Sequence, residues 1–144
     1  MNMQVKDVMK TQVVIARPDA NIREAAKIMT DLDIGCLVVL DKDKIVGILS
    51  ETDVLKKIVA QGADPEKTKV EDIMTKDVVT IDMDKNIEDV AEMMVEKKLK
   101  RLPVVNDGKL VGIITATDLI SYEPKMIEAL SQLFMLKQQQ TVAG

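Results

Sequence analysis

Hydrophobic residues along this chain occur in short blocks separated by polar turns. Apolar residues spaced three and four apart between positions 22 and 29 predict a helix with one buried face, and Asn21 before them is a candidate N-cap. Two continuous apolar runs, 37–40 and 45–49, follow the helix, and the polar turn between them predicts a hairpin of buried strands. The pattern also predicts a short strand over 13–16 and a second helix over 51–60.

The same order of blocks returns 65 positions later without a gap. The segment Val5-Lys6-Asp7-Val8-Met9 recurs as Val70-Glu71-Asp72-Ile73-Met74. The second copy predicts a strand over 78–81, a helix from Asn86, strands over 102–105 and 110–114, and a helix over 116–122. A solenoid usually needs three or more repeats to bury its core, so two copies predict a module with pseudo-two-fold symmetry.

The repeat divides the chain into four parts. We expect a first repeat over 1–60, a connector over 61–69, a second repeat over 70–122, and a C-terminal helix and tail over 123–144. Met126, Leu130, Leu133 and Phe134 lie on one face of this last helix, which is entered near Pro124. The sequence leaves open whether that face packs on its own module or on a second chain.

Composition narrows the possible functions. The chain has 144 residues, of which 47% are hydrophobic and 31% charged, as in a globular protein, and its net charge of -4 argues against general nucleic-acid binding. It contains no histidine and one cysteine, which excludes Ser-His-Asp and Cys-His catalysis, Cys/His zinc sites and an intramolecular disulfide. The longest apolar stretch, 34–40, is far shorter than a membrane helix, and the N-terminus lacks a signal-peptide core. We therefore expect a cytoplasmic protein with no membrane contact.

The segments 47–53 and 112–118 carry the clearest candidate chemistry. In each, a hydroxyl residue ends a strand and an aspartate follows three residues later, at the start of a helix: Ser50 with Asp53, and Thr115 with Asp118. One interpretation is a helix-capping box. The other is a site for ribose hydroxyls and phosphate oxygens, because a strand-to-helix junction presents free N–H groups beside a carboxylate. The two interpretations are compatible.

A basic cluster, 97–101, leads directly into the second hairpin. Lys97 and Lys98 are typical of a solvated helix end, whereas Arg101 precedes buried residues and could hold a phosphate with its guanidinium group. The matching positions in the first copy are Gly35 and Cys36, so that copy lacks the basic pair. We interpret Cys36 as a small buried hydrophobe and the ten methionines as core residues.

With these residues in view, the sequence resembles a tandem pair of cystathionine-β-synthase (CBS) domains, known as a Bateman module. The resemblance covers about positions 3 to 122. Its main motifs are 5–9, 47–53, 62–65, 101–105 and 112–118. It implies an α+β fold in which two β-α-β-β-α repeats pack with pseudo-two-fold symmetry and leave two clefts between them, with the C-terminal helix outside the repeats.

The resemblance also implies a function, namely a sensor whose clefts bind an adenosyl ligand such as AMP, ADP, ATP or S-adenosylmethionine. The positions that match the family's ligand-binding residues are Asp53 and Asp118 for ribose hydroxyls; Ser50, Thr52, Thr115 and Thr117 for sugar and phosphate; Val13, Val14, Ile15, Val78, Val79 and Thr80 for the adenine edge; Val38 and Pro103 as apolar walls; and Lys100 and Arg101 for phosphate. Gly35 and Cys36 stand where the family's basic pair would be in the first copy. This copy is therefore expected to bind a nucleoside weakly, to use a cation such as Lys10 or Arg17 in place of the pair, or to stay empty.

The resemblance further implies a homodimer and a separate, unknown effector protein, with neither a cofactor nor enzymatic turnover. The alternative is a protein-interaction scaffold in which the clefts are vestigial and the aspartates only cap helices. Nucleotide hydrolysis would need a metal site and a positioned base, and the sequence contains no pattern for either.

Overall fold

The computed structural model describes residues 3–135 and 142–144 and contains two similar α+β units. The first half contains α1 (Val5–Val8), β1 (Ile15–Ala16), α2 (Ile22–Leu32), β2 (Cys36–Asp41), β3 (Lys44–Ser50) and α3 (Glu51–Val54), which continues as a π-helical turn over Leu55–Val59. The second half contains α4 (Val70–Ile73), β4 (Ile81–Asp82), α5 (Ile87–Lys97), β5 (Arg101–Asn106), β6 (Lys109–Thr115) and α6 (Ala116–Tyr122). A C-terminal segment follows, with 3-10 turns over Pro124–Met126 and Ser131–Phe134 on either side of α7 (Ile127–Leu130).

Each unit is built on a three-stranded sheet in which the hairpin pairs antiparallel and the short first strand pairs parallel. The strand orders are β1-β2-β3 and β4-β5-β6. Val38 lies opposite Ile48 in the first hairpin, and Pro103 lies opposite Ile113 in the second. These registers differ by 65 residues, so the predicted α+β fold with two equivalent repeats is confirmed.

Several elements differ in length from their predictions. The strands β1 and β4 have only two residues each, and Val13 and Val14, which precede β1, line a cavity. The predicted helix over 51–60 is α-helical only to Val54 and then widens into the π-helical turn. Both asparagines occupy N-cap positions, but only Asn21 accepts a side-chain hydrogen bond, from the Glu24 N–H at 2.8 Å.

The two hydrophobic cores exchange their N-terminal helices. Val5 of α1 is fully buried in the core of the second unit, among residues such as Ile87 and Leu119. Val70 of α4 is fully buried in the core of the first unit, among residues such as Ile22 and Leu49. Each sequence repeat therefore completes the core of the other, which holds the two units together.

The C-terminal segment packs on its own chain, which answers a question that the sequence left open. Met126 and Leu130 are buried in the core of the second unit, and Leu133 packs against that core. Phe134 is 43% exposed. The predicted single helix is wrong in one respect, because the segment alternates between 3-10 and α geometry. Residues 136–141 of the predicted tail lie outside the described residues.

Candidate functional site

Two junctions between a strand and a helix carry the candidate aspartates, and both are capping boxes as predicted. At the second junction the Asp118 N–H donates to Thr115 Oγ at 3.0 Å, and the Thr115 N–H donates to Asp118 Oδ2 at 3.1 Å. At the first junction the Asp53 N–H and the Ser50 N–H make the same pair of bonds, at 3.2 and 3.0 Å. Each carboxylate keeps its second oxygen, Oδ1, for another partner.

In each repeat, the segment that follows the first helix, α1 or α4, crosses to the hairpin of the other repeat, and we call these two segments the linkers. The Lys10 N–H and carbonyl exchange 2.9 Å hydrogen bonds with Ile113, and Thr75 makes the corresponding exchange with Ile48. These linkers therefore bring residues of one repeat beside the junction of the other. The two resulting clefts are not equal.

We call the first of these clefts cleft A. It is a cavity of about 200 Å³ between the two units, lined by Lys10, Gln12, Val13, Val14, Asp33, Ile34, Gly35, Cys36, Val38, Arg101, Ile113 and Thr115. Its apolar wall comes from the first repeat and its hydroxyl from the second. It therefore combines a surface for a flat ring with a polar junction.

Two cations meet in cleft A. Lys10 Nζ lies 3.4 Å from Asp118 Oδ1, in an ion pair whose lysine is largely exposed. Arg101 Nη1 donates to the carbonyl oxygen of Gly35 at 3.3 Å. A Cβ at position 35 would lie 3.3 Å from Arg101 Nη2, so a larger side chain there would crowd the guanidinium. The first copy supplies no basic pair at Gly35 and Cys36, but Lys10 and, from the opposite repeat, Arg101 both line this cleft.

Cys36 lies in the wall of cleft A and is half-buried. Burial raises the pKa of its thiol above the usual 9.0, while the positive charge of Arg101 lowers the pKa and Glu51 raises it. The thiol is therefore protonated near neutral pH, which agrees with its interpretation as a small hydrophobe.

Cleft B is the name we give to the equivalent position around Asp53, and there the carboxylate is fully engaged. Asp53 Oδ1 lies 3.1 Å from Lys57 Nζ and accepts a hydrogen bond from Thr75 Oγ at 3.3 Å. Lys57 is fixed in turn by donating to the Ile73 carbonyl at 2.7 Å. Asp53 is only 7% exposed. A ribose at cleft B would have to displace a lysine and a threonine.

The two clefts also differ in one backbone carbonyl, which is hydrogen-bonded in the first repeat and has no such partner in the second. In the first repeat, the Val38 N–H donates to the Val14 carbonyl. Pro103 occupies the matching position of the second repeat and has no N–H, so the Val79 carbonyl cannot receive the equivalent bond. The Val79 carbonyl therefore lacks the partner in the neighbouring strand that the Val14 carbonyl has.

The remaining predicted site residues are divided between the clefts and other surfaces. Val78, Val79 and Thr80 are half-buried before and beside β4, while Thr52 and Thr117 are exposed in the first turns of α3 and α6. Ile15 and Arg17 line a separate depression, so Arg17 is not the substitute cation of cleft A. Lys100 Nζ lies 5.1 Å from the centre of the Phe134 ring, away from Arg101's position in cleft A.

Sequence reasoning missed two partners of the aspartates, Lys57 and Thr75. The spacing of Lys57, four residues after Asp53 on a helix, could have revealed the ion pair. Thr75 is related to Lys10 by the 65-residue repeat, but its contact with Asp53 depends on the crossing of the linker, which local patterns do not encode.

No helix in the described part of the chain has the length and hydrophobicity that a membrane-spanning segment requires. Within residues 3–135 and 142–144, histidine, cysteine, aspartate and glutamate form no group of three or more with the arrangement of a metal site.

Comparison with known proteins agrees with this architecture. The family model described as CBS domain matches the chain twice, over residues 5–60 and 70–125. A CBS domain protein of unknown function from Thermoplasma acidophilum is 29% identical, with a TM-score of 0.83 over 99% of this chain and 82% of its own. The hexameric CBS-CP12 protein from bloom-forming cyanobacteria is 31% identical, with a TM-score of 0.79 over 89% of this chain and 71% of its own.

A further relative is part of an enzyme. Inosine-5'-monophosphate dehydrogenase of Methanocaldococcus jannaschii is 36% identical over 116 residues, which are 79% of this chain and 22% of that protein. The similarity therefore covers a minor part of the dehydrogenase.

Proposed function

The chain belongs to the CBS domain family and carries two copies of the domain, and on this premise we propose that it is a regulatory module that binds an adenine nucleotide. The nucleotide occupies cleft A, and its binding is transmitted to a separate effector protein. The observation that carries this proposal is the convergence of Asp118, Thr115, Lys10 and Arg101 on one cavity beside an apolar wall. This set offers acceptors for ribose hydroxyls and cations for phosphate.

The charges of cleft A favour a phosphate ligand over S-adenosylmethionine. The lining of cleft A holds the cations Lys10 and Arg101 and the carboxylate of Asp33, and Asp118 pairs with Lys10. Lys10 and Arg101 are the two positive groups that a ligand meets there. They attract the phosphates of AMP, ADP or ATP, whereas they repel the sulfonium group of S-adenosylmethionine. We therefore place the adenine nucleotides first and keep the sulfonium ligand as the alternative.

Binding requires cleft A to open. Its volume of about 200 Å³ is below the roughly 300–1,000 Å³ of typical ligand sites. Phosphate would draw the Arg101 guanidinium away from the Gly35 carbonyl, and that hydrogen bond joins the two repeats. The nucleotide thus replaces a contact between repeats, and its differential affinity for the open and closed arrangements sets how far it shifts them.

Calorimetric titration with AMP, ADP, ATP and S-adenosylmethionine tests the proposal. We expect one nucleotide to bind with a stoichiometry near one per chain, and Asp118→Ala to abolish that binding. Loss of the capping box in Asp118→Ala lowers the free energy of unfolding by about 1 kcal/mol, so a thermal melt must accompany the titration. Asp53→Ala is the matched control, because it removes the equivalent aspartate of cleft B.

Other outcomes would point to other functions. If none of the four ligands binds to the folded protein, the scaffold alternative replaces the sensor. Steady release of phosphate that Asp118→Ala abolishes would overturn the proposal that the chain has no enzymatic turnover. The cytoplasmic location expected from the sequence stays a prediction.

We also propose that the module is a homodimer, which would make a surface between copies available to the signal. The hexameric state of the cyanobacterial relative supports self-association in this family. Exposed apolar side chains on the helices of the first unit, such as Leu55 and Val59, support it in this chain. Analytical ultracentrifugation measures the state directly.

A further inference from the structure

A groove on the second unit is built partly by residues outside the two repeats. It encloses about 530 Å³ between α5 and the C-terminal segment. Met126 and Ala129 of that segment line the groove, and they lie beyond residue 125, where the match to the CBS domain ends. At the equivalent place after the first unit, residues 61–69 form no helix. The groove is therefore a feature of this chain and does not follow from the repeat.

The floor of this groove is apolar and its rim is acidic. Ala91 and Met126 line it and are almost fully buried, and Val95 beside them is half-buried. The described lining holds one cation, Lys125, and four carboxylates, which belong to Glu88, Glu92, Glu96 and Glu123. The groove therefore suits a partner that is apolar along its centre and positively charged along its sides.

Three of these glutamates form a row along α5. They recur at every fourth residue and stand about 6 Å apart along the helix axis: Glu88, Glu92 and Glu96. Like charges at this spacing destabilise a helix, and in the described part of the chain none of the three lies in an ion pair. The positions related to them by the repeat carry mixed charges: Arg23, Lys27 and Asp31. The second repeat thus carries a repulsion that a cationic partner would relieve.

The walls of the groove favour a helix as its occupant. An extended peptide binds through main-chain hydrogen bonds to a free sheet edge, whereas this groove lies between α5 and the helical turns of the C-terminal segment. A helix needs only side-chain contacts, with apolar residues three and four apart on the floor and cations one turn apart along the glutamate row.

The acidic rim also distinguishes a foreign partner from a second copy of this chain. The same groove on another copy carries the same four carboxylates. The corresponding helix face of the first unit is lined by Asp33 and Glu51 and holds no cation among its described lining residues. Neither surface complements the groove in charge, whereas lysine or arginine side chains of another protein do.

We propose that this groove is the docking site of the effector protein, which presents an amphipathic helix whose apolar stripe is flanked by lysine or arginine. The inference rests on the proposed regulatory function, from which it takes the existence of an effector. Apolar side chains of the partner helix cover Ala91, Val95 and Met126, and its cations pair with the glutamate row of α5.

Fluorescence anisotropy with a synthetic peptide tests the docking site. The probe is a labelled peptide of about 18 residues, long enough to form a helix, with leucine along one face and lysine on both sides of that face. We expect one peptide to bind per chain, and added salt to weaken the binding. Replacing the lysines by glutamate, or the leucines by glutamine, should raise the dissociation constant at least about tenfold.

Neutralising the glutamate row tests where the peptide sits. In the triple variant Glu88→Gln/Glu92→Gln/Glu96→Gln we expect the dissociation constant to rise at least about tenfold. The melting temperature should not fall, because the repulsion along α5 is gone. The matched control Asp31→Asn/Asp43→Asn/Glu71→Gln changes the net charge equally at exposed positions outside the groove and should keep the wild-type affinity. Ala129→Phe, which fills the groove without a change of charge, should also weaken binding.

Several outcomes would overturn the docking site. Wild-type affinity in the glutamate triple variant would place the peptide elsewhere, and an equal loss in the matched control would show that the peptide responds only to net charge. Peptide affinity that falls as the protein concentration rises would show that a second copy occupies the groove instead.

Nucleotide titration of the same triple variant separates this inference from the proposed function. The linings of the groove and of cleft A share no residue, so we expect the wild-type nucleotide affinity. If no nucleotide binds to either protein while the peptide still binds to the groove, the docking site stands and the sensor function fails.

Discussion

At the scale of single residues, the two family aspartates show how identical motifs acquire different chemistry. Asp118 Oδ1 is paired with Lys10, whereas Asp53 Oδ1 is held by both Lys57 and Thr75, and Lys57 also donates to the Ile73 carbonyl. An ion pair with an exposed lysine contributes little and is displaced at low cost. A ligand at Asp53 would have to break the contacts with Lys57 and Thr75 together. We therefore expect cleft A to bind nucleotide and cleft B to stay closed.

Lys57→Ala should open cleft B. Without the ammonium group, Asp53 Oδ1 keeps only the Thr75 hydroxyl as a partner and can accept ribose hydroxyls. We expect the calorimetric stoichiometry to rise from near one to near two per chain, with the second site weaker because its alanine-substituted wall carries no replacement cation. The neighbouring Lys56→Ala, which removes an exposed lysine next to it in sequence, should leave the stoichiometry at one. An unchanged stoichiometry in Lys57→Ala would show that the lysine does not close cleft B.

The thiol of Cys36 reports on cleft A. Because its pKa is raised and the thiolate is the reactive form, alkylation should be slow at pH 7.5 and should accelerate only above pH 9. Arg101 lowers this pKa, so Arg101→Gln should move the midpoint of the pH–rate profile to still higher pH. Saturating nucleotide should protect the thiol in the wild type. The rate in denaturant gives the unperturbed profile, and equal midpoints for the folded and unfolded protein would contradict the effect of burial.

At the scale of elements, each hairpin carries a glycine that lets the crossing linker approach. A Cβ at Gly112 would come within 2.6 Å of Met9 Sδ and 2.8 Å of the Lys10 carbonyl oxygen, and a Cβ at Gly47 would collide with Met74. Both glycines therefore belong to close contacts between a β-strand and a linker, and neither is required by a turn. The linker at Gly112 leads into cleft A, and the linker at Gly47 leads into cleft B.

Substituting these glycines should separate stability from binding. Gly112→Ala and Gly47→Ala each overpack a similar contact, so each should lower the free energy of unfolding by about 1–3 kcal/mol. Only Gly112→Ala displaces Lys10 from Asp118, so only this variant should also weaken nucleotide binding at a temperature where both are folded. Denaturant unfolding and calorimetry measure the two effects. Equal loss of affinity in both variants would contradict the assignment of the nucleotide to cleft A.

The elements themselves were largely predictable, because hydrophobic period, caps and turns are local properties. The helix beginning after Asn21, the hairpins and the capping boxes at Ser50 and Thr115 follow from spacing alone. The π-helical turn after Val54 does not, since its apolar spacing is the same as in an α-helix. Arg101 is recognisable from the sequence as a candidate phosphate ligand, but no local pattern shows that its side chain reaches Gly35 of the other repeat.

At the scale of the whole molecule, the crossing of the linkers decides which residues share a site and which share a core. The sequence repeat shows that Val5 and Val70 are equivalent, but it contains no signal for the exchange that buries each in the other unit. Such long-range pairing depends on packing between units and not on local periodicity. The same exchange makes each unit incomplete without the other, so we expect neither repeat to unfold alone.

Unfolding experiments can test this coupling because the chain has one tyrosine and no tryptophan. Tyr122 ends α6, so its fluorescence reports on the second unit, while far-ultraviolet circular dichroism reports on both units.

Val5→Ala and Val70→Ala each remove fully buried methyl groups, from the second and the first core respectively. Each should lower the free energy of unfolding by about 2 kcal/mol. If the units are coupled, both variants shift the two signals together in a single transition. A Val70→Ala protein whose circular dichroism falls before its tyrosine signal would show that the first unit unfolds independently, and that the exchanged helices do not couple the two cores.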